Sequence, residues 1–298
     1  MFQSIWQDIR QIFQHGHMLN RIIVVNLAVW VVVLLGQVFL KGAGWYGPFI
    51  QHLELSSDWR EILFRPWTLI THMFLHEGLF HILFNLLVLY WFGRIVGDFI
   101  GDHRVLPLYL LGGLAGAVFF FFSANIQHPG ITHYALGASA AVTCFILTSA
   151  WLSPNYEMHL LLIGPVKIKY IAFFVMLLDL VGVANNANSG GHFAHLGGAV
   201  MGIAYVEMLR RGDDLAYPFI RFFNWLGHLG QAPVKNPPPR TAVLVKHPAM
   251  RSRQKLNDYQ GMSHQEKLDA ILDKIKAKGY EKLSDEEKAF LTEASKKD

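Results

Sequence analysis

From residue 21 onward the chain alternates long apolar runs with short polar breaks. Six runs stand out, at about 21–40, 78–97, 104–124, 136–153, 168–184 and 192–210. A helix that crosses hydrocarbon needs about 20 residues, range roughly 17–25. The pattern therefore predicts an all-α, polytopic bundle of six spans. The fourth and fifth runs are short and partly polar, which fits spans surrounded by other spans rather than by lipid. Ahead of the first run, Phe2, Ile5, Trp6, Ile9, Ile12 and Phe13 recur at helical spacing, with Gln3, Gln7, Arg10, Gln11 and Gln14 on the other side. That is an amphipathic helix suited to the membrane interface.

Past the last run, "LAYPFIRFFNWLGHLG" is aromatic with few charges and is expected to rest on the interface without spanning. "APVKNPPPR" reads as a stiff, extended linker. The end of the chain reads as a small helical hairpin. Ser263–Glu266 and Ser284–Glu287 each match a capping box, Leu268, Ile271, Leu272 and Ile275 form one stripe, and Gly279 is the expected stop. The expected organisation is an interfacial helix over 1–19, a membrane core over 20–211, an interfacial and Pro-rich basic segment over 212–262, and a hairpin over 263–298. A hairpin this short has little core of its own and is expected to dock on a partner whose identity the sequence does not give. No internal repeat is visible.

Composition supports the membrane reading. The chain of 298 residues is 52% hydrophobic and 16% charged, against roughly 25% charged in soluble domains. The N-terminus lacks the pattern of a cleavable signal peptide. A lone Cys144 excludes an intramolecular disulfide and a cysteine-based metal cluster. Charge placement gives an orientation. Six spans put both termini on one side, with Arg10, Arg21, Arg94, Arg104, Lys167 and Lys169. Residues 210–255 add nine basic side chains against Asp213 and Asp214. The other side holds Lys41, Arg60 and Arg65, all in the long first loop. The positive-inside rule then places both termini in the cytoplasm, and a bacterial inner membrane is the expected location.

With that orientation, spans two, four and six all begin near the outer face, and each begins with a polar cluster. "HMFLHEGLFHILFN" opens the second, "YALGASAAV" with Ser139 the fourth, and "GGHFAHLGGAVMG" with His192 and His195 the sixth. Polar groups inside a membrane are costly and usually face a protein interior or a water-filled cavity. Three clusters at one depth point to one shared cavity. A metal site is one reading of it. However, His76 and His81 are five apart, out of register for the H-E-x-x-H pattern that puts two ligands on one helical face. A nucleophile site is another. Ser139 sits among Gly137, Ala138, Ala140 and Ala141, and Gly198 and Gly202 form a G-x-x-x-G close-packing signature one turn past His195. A serine needs a base to take its proton, and a helix N-terminus offers unpaired N–H groups to an oxyanion. His81 and Asn85, four apart, can add donors from the same face. A packing serine, a satisfied interfacial histidine and an inert small-residue bundle remain the alternative for each feature taken singly.

Taken together, these motifs resemble the rhomboid family of intramembrane serine proteases over about residues 20–210. "HMFLHEGLFHILFN" is similar to the family's second-span signature, "GAS" to its G-x-S nucleophile motif, and "AHLGGAVMG" to its A-H-x-x-G-x-x-x-G base motif. The resemblance implies Ser139 as nucleophile and His195 as general base, a dyad without an acid. It implies an oxyanion site from the Ser139 N–H, His81 and Asn85, with Gly198 and Gly202 admitting the fourth span. His76 and His72 would be structural, bracing the first loop, and Gly137 would belong to the nucleophile turn. It further implies cleavage of single-pass transmembrane proteins near the outer end of their helix, in contact with the lipid bilayer, with no cofactor, no metal and no nucleic acid. The hairpin resembles the C-terminal extension of some bacterial members. Three positions depart from the pattern. Ala140 follows the serine where glycine is usual. Thr68 follows Trp67 where many members have arginine. Thr143 stands where an aromatic ring often stacks on the catalytic histidine, so His192, Phe193 or another neighbour has to hold His195. A non-catalytic binder of transmembrane helices would carry the same bundle, and a histidine metal site is the further alternative.

Overall fold

The computed structural model of the chain describes residues 2–160, 163–185, 188–228, 264–278 and 283–294. It divides into two units, Met1–Gly230 and Gln231–Asp298.

In the first unit, α1 (Phe2–His15) precedes α2 (Met18–Leu40). A long first loop follows, holding three short helices, α3 (Tyr46–Gln51), α4 (Trp59–Phe64) and α5 (Thr68–Thr71). The bundle continues with α6 (Leu79–Ile100), α7 (Val105–Gln127), α8 (Ser139–Leu152), α9 (Ile168–Ala184) and α10 (Ser189–Arg211), and α11 (Tyr217–His228) comes after it. All six apolar runs thus form helices, and the protein is a mostly helical, polytopic membrane protein. Among the described residues, Met18–Leu40, Leu79–Ile100 and Asp102–Gln127 are long and apolar enough to cross a membrane.

Helix α8 is the centre. Its 14 residues rise about 21 Å, short of the roughly 30 Å of hydrocarbon. Yet every residue from Ala140 to Ala150 is buried. Its neighbours α6, α7, α9 and α10 surround it, so protein rather than lipid solvates it. The outer helices show the opposite distribution. Val31, Val32, Leu35 and Val38 on α2, and Phe173, Phe174, Leu178 and Val181 on α9, are exposed, as lipid-facing side chains are. The fifth run is therefore peripheral, not enclosed like the fourth, which corrects the expectation that both are surrounded by other spans.

Among the described residues, two short strand pairs accompany the helices. Strand β1 (Leu55–Ser56) pairs antiparallel with β2 (Tyr134–Ala135), and β3 (Glu157–Leu160) with β4 (Gly164–Lys167). These short strands lie in the connections between the helices and leave the all-α class of the bundle as expected. The first pair matters most, because it fastens the first loop to the segment leading into α8.

Helix α11 packs Phe219, Ile220 and Phe223 on the bundle and exposes Tyr217, Phe222 and Trp225. Arg104 holds Asp214 at 2.8 Å, and the Tyr205 hydroxyl donates to the same carboxylate at 3.1 Å. In the second unit, α12 (His264–Lys278) and α13 (Asp285–Ala294) form the hairpin. The Ser284–Glu287 capping box closes in both directions. The Ser284 N–H donates to Glu287 Oε2 at 2.7 Å, and the Glu287 N–H donates to Ser284 Oγ at 3.3 Å. Lys274 reaches the other Glu287 oxygen, Ile271 and Leu283 are buried, and Lys267 lies over the Phe290 ring. Ser263, Gly279 and the Pro-rich linker lie outside the described residues.

Candidate active site

The placement of Ser139 begins in the first loop. The Ser57 N–H donates to the His133 carbonyl at 2.9 Å, and Ser57 Oγ accepts from the His133 N–H at 2.9 Å. Asn125 donates to the Ser57 carbonyl at 2.9 Å. Farther along, the Gly137 N–H donates to the His72 carbonyl at 2.8 Å. Gly137 has φ +127°, a backbone region that side chains rarely adopt. An added Cβ there would lie 3.1 Å from His81 Nε2 and 3.6 Å from Ser139 Oγ. So the turn that Gly137 permits sets the His81 ring and the serine hydroxyl around one point. Ser139 is the first residue of α8, and the N–H groups of that first turn have no intrahelical acceptor. The Thr143 hydroxyl donates to the Ser139 carbonyl at 2.9 Å, which anchors the serine backbone from one turn below.

Helix α10 meets α8 backbone to backbone. A Cβ on Gly198 would overlap the Ala140 carbonyl oxygen, and one on Gly202 would sit 2.5 Å from the Cys144 oxygen. Ala140 and Ala194 both press against Gly116 of α7. Ser139 precedes Ala140 and His195 follows Ala194, so this close contact lies beside both. No helix stands between α8 and α10.

His195 is held in a way the sequence reading missed. Its Nδ1 lies 2.7 Å from Asp179 Oδ1, and His192 Nδ1 lies 2.8 Å from the same oxygen. Asp179, on α9, is only 4% exposed. The two imidazole rings meet edge to face, with centroids 5.8 Å apart. The resemblance implied a histidine without an acid; here a carboxylate is on its Nδ1, and His192 is the neighbour beside it. The signal was present, since an acid within an apolar run of spanning length marks a functional position by default. The same three side chains offer metal-ligand atoms within 4.8 Å of one another.

The remaining expected residues serve different ends. The Asn85 amide donates back to the His81 carbonyl at 2.8 Å, which uses one of its two N–H groups. His72 Nδ1 donates to the Thr68 carbonyl at 2.7 Å, so Thr68 helps shape the loop through its backbone. The Tyr109 hydroxyl donates to the Met73 carbonyl at 2.7 Å and ties the loop to α7. His76 braces the loop by packing. It is 1% exposed and its ring meets the His81 ring edge to face at 5.1 Å. The Phe74 backbone lies near it, yet neither ring nitrogen has hydrogen-bonding geometry.

Burial pushes both loop histidines down to about 4, with His81 adding to the effect at His76 and the Thr68 carbonyl opposing it at His72. Their folded pKa lies below the ordinary histidine value of about 6.5. The contribution of these two histidines to the loop's stability is therefore full above their ordinary pKa and declines as pH falls toward their folded values. At about 1.4 kcal/mol per unit, each histidine contributes a few kcal/mol to that decline. Limited proteolysis of the first loop at pH 7 and at pH 4 should show cleavage only at the acid end. Protection that persists at pH 4 would contradict it.

Comparison with known proteins places the chain in a family. The rhomboid domain model matches residues 64–212, half of the chain, and a family of unknown function (DUF6576) matches residues 253–297. The chain is 32% identical over 162 residues to RHOMBOID-like protein 12, mitochondrial, of Arabidopsis thaliana, covering 50% of this chain and 48% of the relative. It is 29% identical over 139 residues to Rhomboid protein 1, mitochondrial, of Saccharomyces cerevisiae, covering 46% and 40%. It is 27% identical over 146 residues to the Rhomboid protease GluP of Bacillus subtilis, covering 49% and 27%. The chain thus spans about half the length of these relatives or less. The matched domain contains Ser139, His195, His81 and Asn85 alike, and the chain belongs to the rhomboid family.

Proposed function

We propose that the protein is an intramembrane serine endopeptidase that cleaves single-pass transmembrane proteins near the outer end of their helix. One observation carries this reading: the backbone contact between Gly198 and Ala140 joins the helix bearing a hydroxyl to the helix bearing an imidazole. Ser139 Oγ attacks the scissile carbonyl carbon while His195 takes the hydroxyl proton. The negative charge that develops on the carbonyl oxygen is received by the Ser139 N–H, His81 and Asn85. As the tetrahedral intermediate collapses, the C–N bond breaks and His195 returns the proton to the leaving amine. Water then attacks the acyl-enzyme, again losing a proton to His195, and Ser139 is restored.

Hydrolysis consumes water, which has to enter from the outer face. A cavity of about 250 Å³ where α7 finishes and α10 begins, lined by Ser123, Gln127, His133, Asn188 and Ser189 among others, is a polar space at that end of the bundle, although Ser139 and His195 are not part of its lining. The substrate enters as unwound backbone, because a helical peptide keeps its carbonyls internally bonded. With the site near the outer face, both termini are cytoplasmic by the charge rule, in a bacterial inner membrane, and the hairpin serves a partner of unknown identity. The alternative, a non-catalytic binder of transmembrane helices, draws on Asn85 being turned toward its own helix.

Purified protein in detergent, given a transmembrane substrate and a fluorophosphonate probe, separates the two. Turnover with labelling of Ser139 is expected. Asn85→Ala should slow turnover by roughly 10²–10³-fold without ending it, the cost of one oxyanion donor. Intact protein that neither cleaves nor labels would favour the binder.

A further inference from the structure

Asp179 is an expensive residue to keep. A carboxylate within a membrane bundle costs several kcal/mol unless its charge is met. Here only Oδ1 is met, by two imidazoles, while Oδ2 is buried without a hydrogen-bond partner among the described residues. An apolar side chain would pack α9 at lower cost. The surroundings are also shaped for this contact. Gly182, one turn along α9, leaves the space that the His192 ring fills, since a Cβ there would overlap that ring. Asp179 lies near the end of α9, and His192 and His195 lie near the start of the antiparallel α10, so all three share one depth.

We infer that Asp179 is a positioning residue for the proposed hydrolysis: it fixes the ring and tautomer of His195, with His192 as a second donor that fixes Asp179. This rests on the serine protease reading above. An ionised carboxylate only accepts hydrogen bonds, so a proton must sit on Nδ1 of His195 and the lone pair on Nε2. That is the form a base needs in order to take the serine proton at Nε2. When it does, the resulting imidazolium faces a negative oxygen 2.7 Å away. Thr143 provides no ring to stack on His195, and the carboxylate supplies the orientation such a ring would give. His192 spans from α10 to the same oxygen and holds it against rotation. A metal ion does not fit these distances as well. Cation ligands sit about 2.0–2.2 Å from a zinc ion, and an ion on either Nδ1 would displace the proton that the 2.7 and 2.8 Å contacts require.

The test compares wild type, Asp179→Asn, Asp179→Glu and His192→Gln by turnover, thermal unfolding and ¹⁵N NMR of labelled histidine. An amide can present an N–H to Nδ1 and favour the other tautomer. In a soluble serine protease such a change costs about 10⁴ in kcat. Asp179→Asn is expected to lower kcat by about 10²–10⁴-fold with KM within about threefold and unfolding unchanged, and to move the His195 proton to Nε2. Asp179→Glu, which restores a carboxylate, should recover part of kcat. His192→Gln should cost at least tenfold less than Asp179→Asn. Asp179→Asn that keeps wild-type kcat, or loses it only through unfolding, would overturn the inference while leaving the protease reading intact. Activity that needs added Zn²⁺ would overturn it in favour of a metal site. Wild type that neither cleaves nor labels would overturn both.

Discussion

Ser139→Ala is expected to remove peptide-bond cleavage altogether, with the fold unharmed. Losing a nucleophilic serine costs about 10⁶ in kcat in a soluble protease, well beyond what an assay on a membrane substrate can follow. The change should be structurally mild. Ser139 is half-buried at the first position of α8. The Thr143 hydroxyl bonds to its backbone carbonyl and not to its side chain, so alanine keeps that anchor. The Gly137 turn and the Ala140–Gly198 contact involve other atoms. Thermal unfolding should therefore match wild type, and fluorophosphonate labelling should vanish with turnover. His195→Ala should fall as far, because the hydroxyl is a poor nucleophile without a base. Turnover that survives Ser139→Ala would end the serine mechanism, and if it were then lost to a chelator the histidines would be metal ligands. A Ser139→Ala protein that still binds the transmembrane substrate would show that recognition and chemistry are separable in this bundle.

Much of this site is legible in the sequence because its signals are local. Apolar runs of membrane length give the helices, and 21–40 and 78–97 fall within Met18–Leu40 and, but for one residue, within Leu79–Ile100. Gly198 and Gly202 announce a close approach by their spacing, and the structure shows what approaches, Ala140 and Cys144. What the sequence hides is nonlocal pairing. Nothing in the pattern of residues 55–57 says they will pair with 133–135, yet that pairing holds the turn before Ser139. His72 is a side chain in the motif, but it is its carbonyl that receives the Gly137 N–H. The β3–β4 hairpin falls in a connection between spans, where hydropathy says only that the chain turns. Asp179 was visible as one acid in an apolar run, but its partners lie beyond a loop, and only the antiparallel packing of α9 on α10 brings His192 and His195 to one of its oxygens.

The second large effect is expected at Gly198, and it tests geometry rather than chemistry. Replacement by valine puts a branched side chain where even a Cβ overlaps the Ala140 carbonyl oxygen. The obstruction is backbone, which cannot rotate aside as a flexible side chain can. Overpacking a core costs about 1–3 kcal/mol, occasionally more, and here the only relief is for α10 to move away from α8. That motion separates His195 from Ser139, and a misplacement of about 1 Å can cost 10²-fold in rate. Gly198→Val should thus lose at least about 10²-fold in turnover together with a clear drop in unfolding temperature. Gly198→Ala should lie between it and wild type. Gly202→Val should act similarly but more through stability, since its neighbours, the Cys144 oxygen and the Thr148 N–H, lie a turn or more farther down α8 from the serine. Gly47, in α3 of the first loop, has nothing within 4 Å of an added Cβ, and Gly47→Ala is the control expected to change neither quantity. If Gly198→Val kept both activity and stability, the helices would not be in the contact on which the serine and the histidine depend.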